Sequence, residues 1–334
     1  MSELKVNSIE SNNTLTANSL VVGNVTINSI GITAPNYVVN RSAIAIGNSS
    51  ANITITANSS IPSINIGGTT YTSLTTENVN TQLFTANGTW TKPSWATDGK
   101  ELVVVHMWGG GGGSATTTGA NSASGGGGAF VFGYFIASNC NATCNVVVGL
   151  GGNYAVNASA GLDTQAGNGT SSIFYANTIN SLTAYGGIGG YSNATVHVGG
   201  GGGGWLSAGS RSGSNSTGGG PLGGSGGIGV DFIRDSTFGG GSGGLTTTNC
   251  AGVSIYGGGG GGAMGGFGGN TVFGGGGGVR FGTSWAGKSI FGGTGGSVND
   301  PAGVPGGGGG GQGDSINGLG ARGEVRIYTY RIVS

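Results

Sequence analysis

Glycine runs recur at 109–113, 125–128, 199–204, 218–220, 239–241, 257–262, 274–278 and 306–311. No other feature restricts the fold so severely. Glycine loses more backbone entropy on ordering than any other residue. Inside an α-helix each one costs about 1 kcal/mol relative to alanine. Collagen would use such glycines, but it needs a strict Gly-X-Y period and abundant proline. The period is absent here, and only 6 prolines occur beside 82 glycines. A flexible linker would not carry Trp205, Phe232, Phe238, Tyr256, Phe267, Phe273, Phe281, Trp285 and Phe291 next to its glycines.

The left-handed polyglycine II helix accommodates all of this. It has three residues per turn and a rise of about 3.1 Å. With no Cβ on any side, such helices can pack on several neighbours and exchange N–H···O and Cα–H···O bonds. Only many mutual neighbours offset the entropy lost, so the runs are expected to form a bundle over 109–322, with aromatics at the run ends capping it.

Ordinary strands flank the glycines. Residues 102–108 form a β-branched run ending in Trp108. From Gly323 onward, Val325, Ile327 and Thr329 alternate with Arg326, Tyr328 and Tyr330, a two-residue period that reads as a strand. Residues 129–136 and 145–148 are further candidates. Framing strands within 84–108 and 323–332 imply a small β domain over 81–334 into which the bundle is inserted. Residues 1–80 differ. Short apolar dyads recur there, at Val25/Ile27, Ile44/Ile46, Ile53/Ile55 and Ile64/Ile66, followed by turn signals such as Gly23-Asn24, Gly47-Asn48 and Gly67-Gly68. One copy of such strands cannot bury a core of its own. The expected fold class is therefore all-β plus polyglycine II, with a fibrous, trimeric β stalk at 1–80. A disordered linker is the alternative for that segment.

Charge excludes several functions. Lys+Arg and Asp+Glu are 11 each, so no basic field draws nucleic acid or an anionic membrane. No run of 18 apolar residues exists, and the opening "MSELKVNSIESNN" has no apolar core for a secretory leader. Cys140, Cys144 and Cys250 cannot all pair within one chain. Cys140 and Cys144 suit small buried positions, a local disulfide or half of a metal site. "GTSWAGKS" at 282–289 fits the phosphate-loop pattern. However, the glycines at 292, 293, 295 and 296 deny it the helix whose N-terminus would face phosphate. Asp231 and Asp235, with Arg234 between them, are a close carboxylate pair. They read as a solvated loop. No catalytic residue, cofactor or metal is expected.

"FTANGTWTKP" at 84–93, "VVVHMWGGGGGS" at 103–114 and "GARGEVRIYTY" at 320–330 resemble the glycine-rich tail-fibre proteins of tailed bacteriophages. "MSELKVNSI" is similar to the start of fibre proteins in marine phages. The resemblance implies a virion fibre or adhesin, self-associated as a homotrimer, attached to other tail or baseplate proteins and meeting a host-surface glycan or outer-membrane protein. Loops between polyglycine helices would make the contact. Candidates are Trp205, Arg211 and Asn215; Asp231, Phe232 and Arg234; and Arg280, Trp285 and Lys288. A purely structural filament, connector or head fibre is the alternative. An ice-binding protein or an enzyme fits less well.

Overall fold

The computed structural model describes residues 43–48, 51–56, 63–66, 69–72, 79–96, 99–117, 121–157, 162–212, 215–220, 235–244, 250–263, 266–280, 285–298, 300–311 and 318–331. The Val25/Ile27 dyad, the turns at Gly23-Asn24 and Gly67-Gly68, and the candidate residues Asp231, Phe232 and Arg234 lie outside them. The described residues are all-β. They contain no α-helix, and Ala137–Asn139 is a 3-10 turn. The chain divides into two compact units, Met1–Ser73 and Leu74–Ser334.

In the first unit, β1 (Ala43–Asn48), β2 (Ala51–Thr56), β3 (Ser63–Ile66) and β4 (Thr69–Thr72) form an antiparallel meander. Its register sets the dyads opposite one another: Ile44 pairs with Ile55, Ile46 with Ile53, Ile53 with Ile66 and Ile55 with Ile64.

The second unit is built on two four-stranded antiparallel sheets. The first contains β5 (Val79–Phe84), β7 (Glu101–Trp108), β10 (Phe130–Ile136) and β20 (Glu324–Arg331), in the order β10-β7-β20-β5. The expected closing strand thus pairs with both β5 and β7. The second sheet contains β6 (Gly88–Thr91), β11 (Thr143–Val147), β14 (Ser172–Tyr175) and β15 (Ser181–Ala184). Between the sheets, Val103, Val105, Met107, Val131, Val325 and Ile327 pack in one core with Trp90, Cys144, Val146 and Phe174. Trp90 meets Phe174 edge to face, with centroids 6.0 Å apart.

Glycine runs leave this sandwich and return to it repeatedly. Their far turns carry short strands: β8 (Ala115–Thr117), β9 (Asn121–Ala123), β12 (Ala155–Asn157), β13 (Thr164–Gln165), β16 (Tyr191–Ser192), β17 (His197–Val198), β18 (Ser210–Ser212) and β19 (Asn215–Thr217). The runs themselves belong to no strand. Run 125–128 shows how they are held. Ser124 and Gly127 donate to Gly262 and Gly259, Gly125 and Gly128 to Gly309 and Gly306, and Gly126 to Ile188. Its carbonyls accept from Gly112, Gly200, Gly203, Gly275 and Gly278. Residues three apart therefore face the same neighbour, and one run is bonded to six others.

Glycine is required here for close approach rather than for an unusual φ. Among the described glycines only Gly99, Gly306 and Gly311 have positive φ. A Cβ on Gly127, in contrast, would overlap the carbonyl of Gly275, and one on Gly259 the carbonyl of Gly269. Backbone lies against backbone, and no side chain can intervene.

Candidate functional site

Each run joins two ends of the second unit, and the ends differ in chemistry. At the sandwich end, four turns repeat one short pattern: Ser236-Thr237-Phe238-Gly239, Ser254-Ile255-Tyr256-Gly257, Thr271-Val272-Phe273-Gly274 and Ser289-Ile290-Phe291-Gly292. In three of them the first hydroxyl accepts the N–H three residues on: Gly239 to Ser236 at 2.8 Å, Gly274 to Thr271 at 3.1 Å and Gly292 to Ser289 at 2.8 Å. The hydroxyl also donates to the preceding turn. Ser254 reaches the Gly239 carbonyl at 2.7 Å, Thr271 that of Gly257 at 2.9 Å and Ser289 that of Gly274 at 2.7 Å. This registers the rings into a ladder. Phe238, Tyr256, Phe273 and Phe291 stack in succession with centroids 5.1, 5.0 and 4.9 Å apart, and consecutive planes differ by 4°, 3° and 10°. Beside the ladder runs a groove of about 540 Å³ lined by the turns 235–237, 253–255 and 270–272.

Trp205 belongs to this end. It is half-buried and packs edge to face with Phe132, Phe238 and Tyr256. Lys288, exposed, opens the last turn of the ladder. Its neighbour Ser289, the last residue of the phosphate-loop lookalike, is a rung hydroxyl, and no helix follows it.

The far end is more polar. Tyr191 donates to the exposed Asp163 carboxylate at 2.6 Å, and Asn193 donates to the same oxygen at 3.2 Å. These bonds, Tyr191's foremost, hold the Asp163 pKa below its ordinary value. Burial, and then the bond to Asp163, push Tyr191 up. Arg211 lies over the Tyr191 ring, 5.3 Å from its centroid, and donates to the carbonyls of Gly189 and Gly190. Asn215 starts the strand paired with that of Arg211. Beneath this surface Ser192 and the buried His197 are 2.8 Å apart, and Thr117 is 3.3 Å from Ser192. Burial and the nearby Arg280 lower the His197 pKa. Arg280 is itself buried, so it offers little surface for contact. Trp285 is exposed and stacks on exposed Phe267 at 4.8 Å.

The six candidates among the described residues therefore divide. Trp205 and Lys288 sit at the sandwich end; Arg211, Asn215, Arg280 and Trp285 sit at the far end. Asp163, Tyr191 and Asn193 were not anticipated. They come together only because the hairpin at 191–198 folds beside 162–165, and no sequence spacing announces that.

Residues 81–330 match the family model described as glycine-rich domain. The chain belongs to the glycine-rich domain family. The match spans both framing strands and all the runs, so sandwich and glycine region together constitute the glycine-rich domain. A comparison with curated proteins gives no match. In this glycine-rich domain Cys140 and Cys144 are buried free thiols in the sandwich core. The hydrogen bond they share is the main reason the Cys140 pKa is raised and the Cys144 pKa lowered. Among the described residues no three His, Cys, Asp or Glu converge on a point where a metal could sit.

Proposed function

We propose that the chain is a phage tail-fibre or tip protein that recognises the host surface through the far-end turns of its glycine-rich domain. In this reading the runs are polyglycine type II helices, a geometry supported by the three-residue repeat of their hydrogen bonds. Residues 1–80 form a β stalk that joins three copies and attaches them to other tail or baseplate proteins. The protein works in the virion, without cofactor and without catalysing a reaction.

One observation carries the reading. The chain comes into the domain at Val79, which pairs with Tyr330, whereas Trp108 and Glu324 adjoin the glycine runs. The far-end turns are therefore displaced from the point of attachment by the sheet and the length of the runs. They present Trp285 on Phe267 and the Asp163, Tyr191, Asn193 and Arg211 cluster. Aromatic faces suit sugar rings, and amide, carboxylate and guanidinium groups suit hydroxyls. Loops on a rigid scaffold are where contact residues tend to lie.

The test is adsorption of virions carrying Trp285→Ala or Arg211→Ala and assembling normally. At least a tenfold slower adsorption is expected for one or both. Unchanged adsorption in both would instead favour a structural filament, connector or head fibre.

A further inference from the structure

The outer face of the first sheet is apolar, and among the described residues of the second unit it is left exposed. Alternation puts Val103, Val105 and Met107 inside. It therefore puts Leu102, Val104 and His106 outside, with Phe132, Tyr134 and Ile136 beside them on β10 and Tyr328 and Tyr330 on β20. Tyr134 is 73 % exposed. This face does not stop at the sheet. Phe132 touches Trp205 and Tyr256, so the sheet runs on into the ring ladder, whose ends Phe238 and Phe291 are exposed too. Ile290, on the last rung, is 71 % exposed.

We infer that this continuous face is a contact between copies of the chain within the glycine-rich domain, separate from any association through residues 1–80. Its size is the first argument. Tyr134, Phe291, Phe238, Phe132 and Tyr330 together leave about 500 Å² of ring uncovered, taking roughly 200 Å² for a whole aromatic side chain. Leu83, Ile136 and Ile290 raise this to about 800 Å², one partner's share of a standard interface. An uncovered patch of that extent exceeds what a monomer ordinarily exposes.

The chemistry selects the occupant. Arg326 is the cation on the sheet part of the face. It is paired with Glu324 at 2.7 Å, a carboxylate that Arg322 also approaches at 3.5 Å, and it lies 4.9 Å over Trp108. A charged partner finds no counterpart there, and a like face meets no repulsion. The remaining polar groups are the hydroxyls of Tyr134, Tyr328 and Tyr330 and the His106 ring. Each can both donate and accept, so two copies of this face satisfy one another. Among the described residues, no hydrogen bond uses those three hydroxyls.

The test is photo-crosslinking of the full chain carrying p-benzoylphenylalanine in place of Tyr134. Irradiation is expected to give a covalent two-chain product. The same group at Ile179, exposed on the hairpin of the opposite sheet, is expected to give at least tenfold less. Ile290→Glu, at the far side of the face, is expected to lower the yield from position 134 at least tenfold while the melting temperature holds. Absence of a two-chain product from position 134, equal yields from 134 and 179, or a yield indifferent to Ile290→Glu would overturn the inference. So would a monomeric mass for the full chain in solution.

Discussion

The glycine-rich domain has two interiors that obey opposite rules. Between the sheets, side chains fill the space: Trp90, Phe174, Met107 and Ile327 are fully buried, and their volume sets the sheet separation. Among the runs, backbones fill it, and separation is set by hydrogen bonds of 2.7–3.0 Å between one run and six others. The first interior gains from apolar area removed from water. The second gains little area per residue and pays the largest entropy. Its stability must come from satisfied backbone groups and close contact. An interior made of side chains tolerates some exchange of shape. One made of backbone has no side chain to repack.

Substitutions of opposite sense test this contrast, and they give the largest effects. Phe174→Ala empties a space in the sandwich and is expected to cost about 3–5 kcal/mol. Gly259→Ala adds one methyl group to the runs and is expected to cost about 3 kcal/mol, the upper end for overpacking, because the atom in the way is the Gly269 carbonyl. Gly220→Ala is the control. Its Cβ would meet only the Ser207 hydroxyl at 3.4 Å, so a change within about 0.5 kcal/mol is expected. Denaturant unfolding measures all three. If Gly259→Ala were as mild as Gly220→Ala, the runs would be loosely packed and the contrast would fail.

The ladder joins the two interiors, and it gives the next effect in size. Thr271 donates to the Gly257 carbonyl and accepts from the Gly274 N–H, all three groups being buried. Thr271→Val keeps the shape and orphans both backbone partners. A loss of about 1–3 kcal/mol is expected. Thr271→Ser keeps the hydroxyl and should recover most of it. A valine variant as stable as the parent would mean that the rungs do not depend on their hydroxyls.

What sequence could and could not foretell follows the same division. The framing strands were legible because Val325, Ile327 and Thr329 alternate and because 102–108 is β-branched. The runs were legible by composition. Half of the second sheet was missed: β11 was anticipated and β6 lies within the expected framing segment 84–108, but Ser172–Tyr175 and Ser181–Ala184 are too short to establish a period. The ladder was missed for another reason. Ser236, Ser254, Thr271 and Ser289 recur 17 or 18 residues apart, but the residues between them differ in composition and blur the repeat. The far-end cluster depends on pairing between segments remote in sequence, which no local pattern encodes.

The smallest expected effect is on pH dependence, and it arises at both ends of the runs. Burial, then Arg280, lowers the His197 pKa; burial, then Arg326, lowers that of His106. An unfolded histidine titrates near about 6.5. The folded chain therefore binds fewer protons than the unfolded one as pH falls through that value, and stability must rise with pH there. It should be flat above about pH 7.5 and decline as pH falls through about 6.5. The decline should level off below the lowered folded values. Asp163 acts in the same direction, but only as pH falls into the carboxylate range near about 3.9, so measurements above pH 5 isolate the histidines. Melting temperatures from pH 8 to pH 5 in one buffer series test the sign, and a stability that holds or rises on acidification would refute it. His197→Asn should flatten the slope, since a neutral amide cannot take up the proton that the buried ring resists.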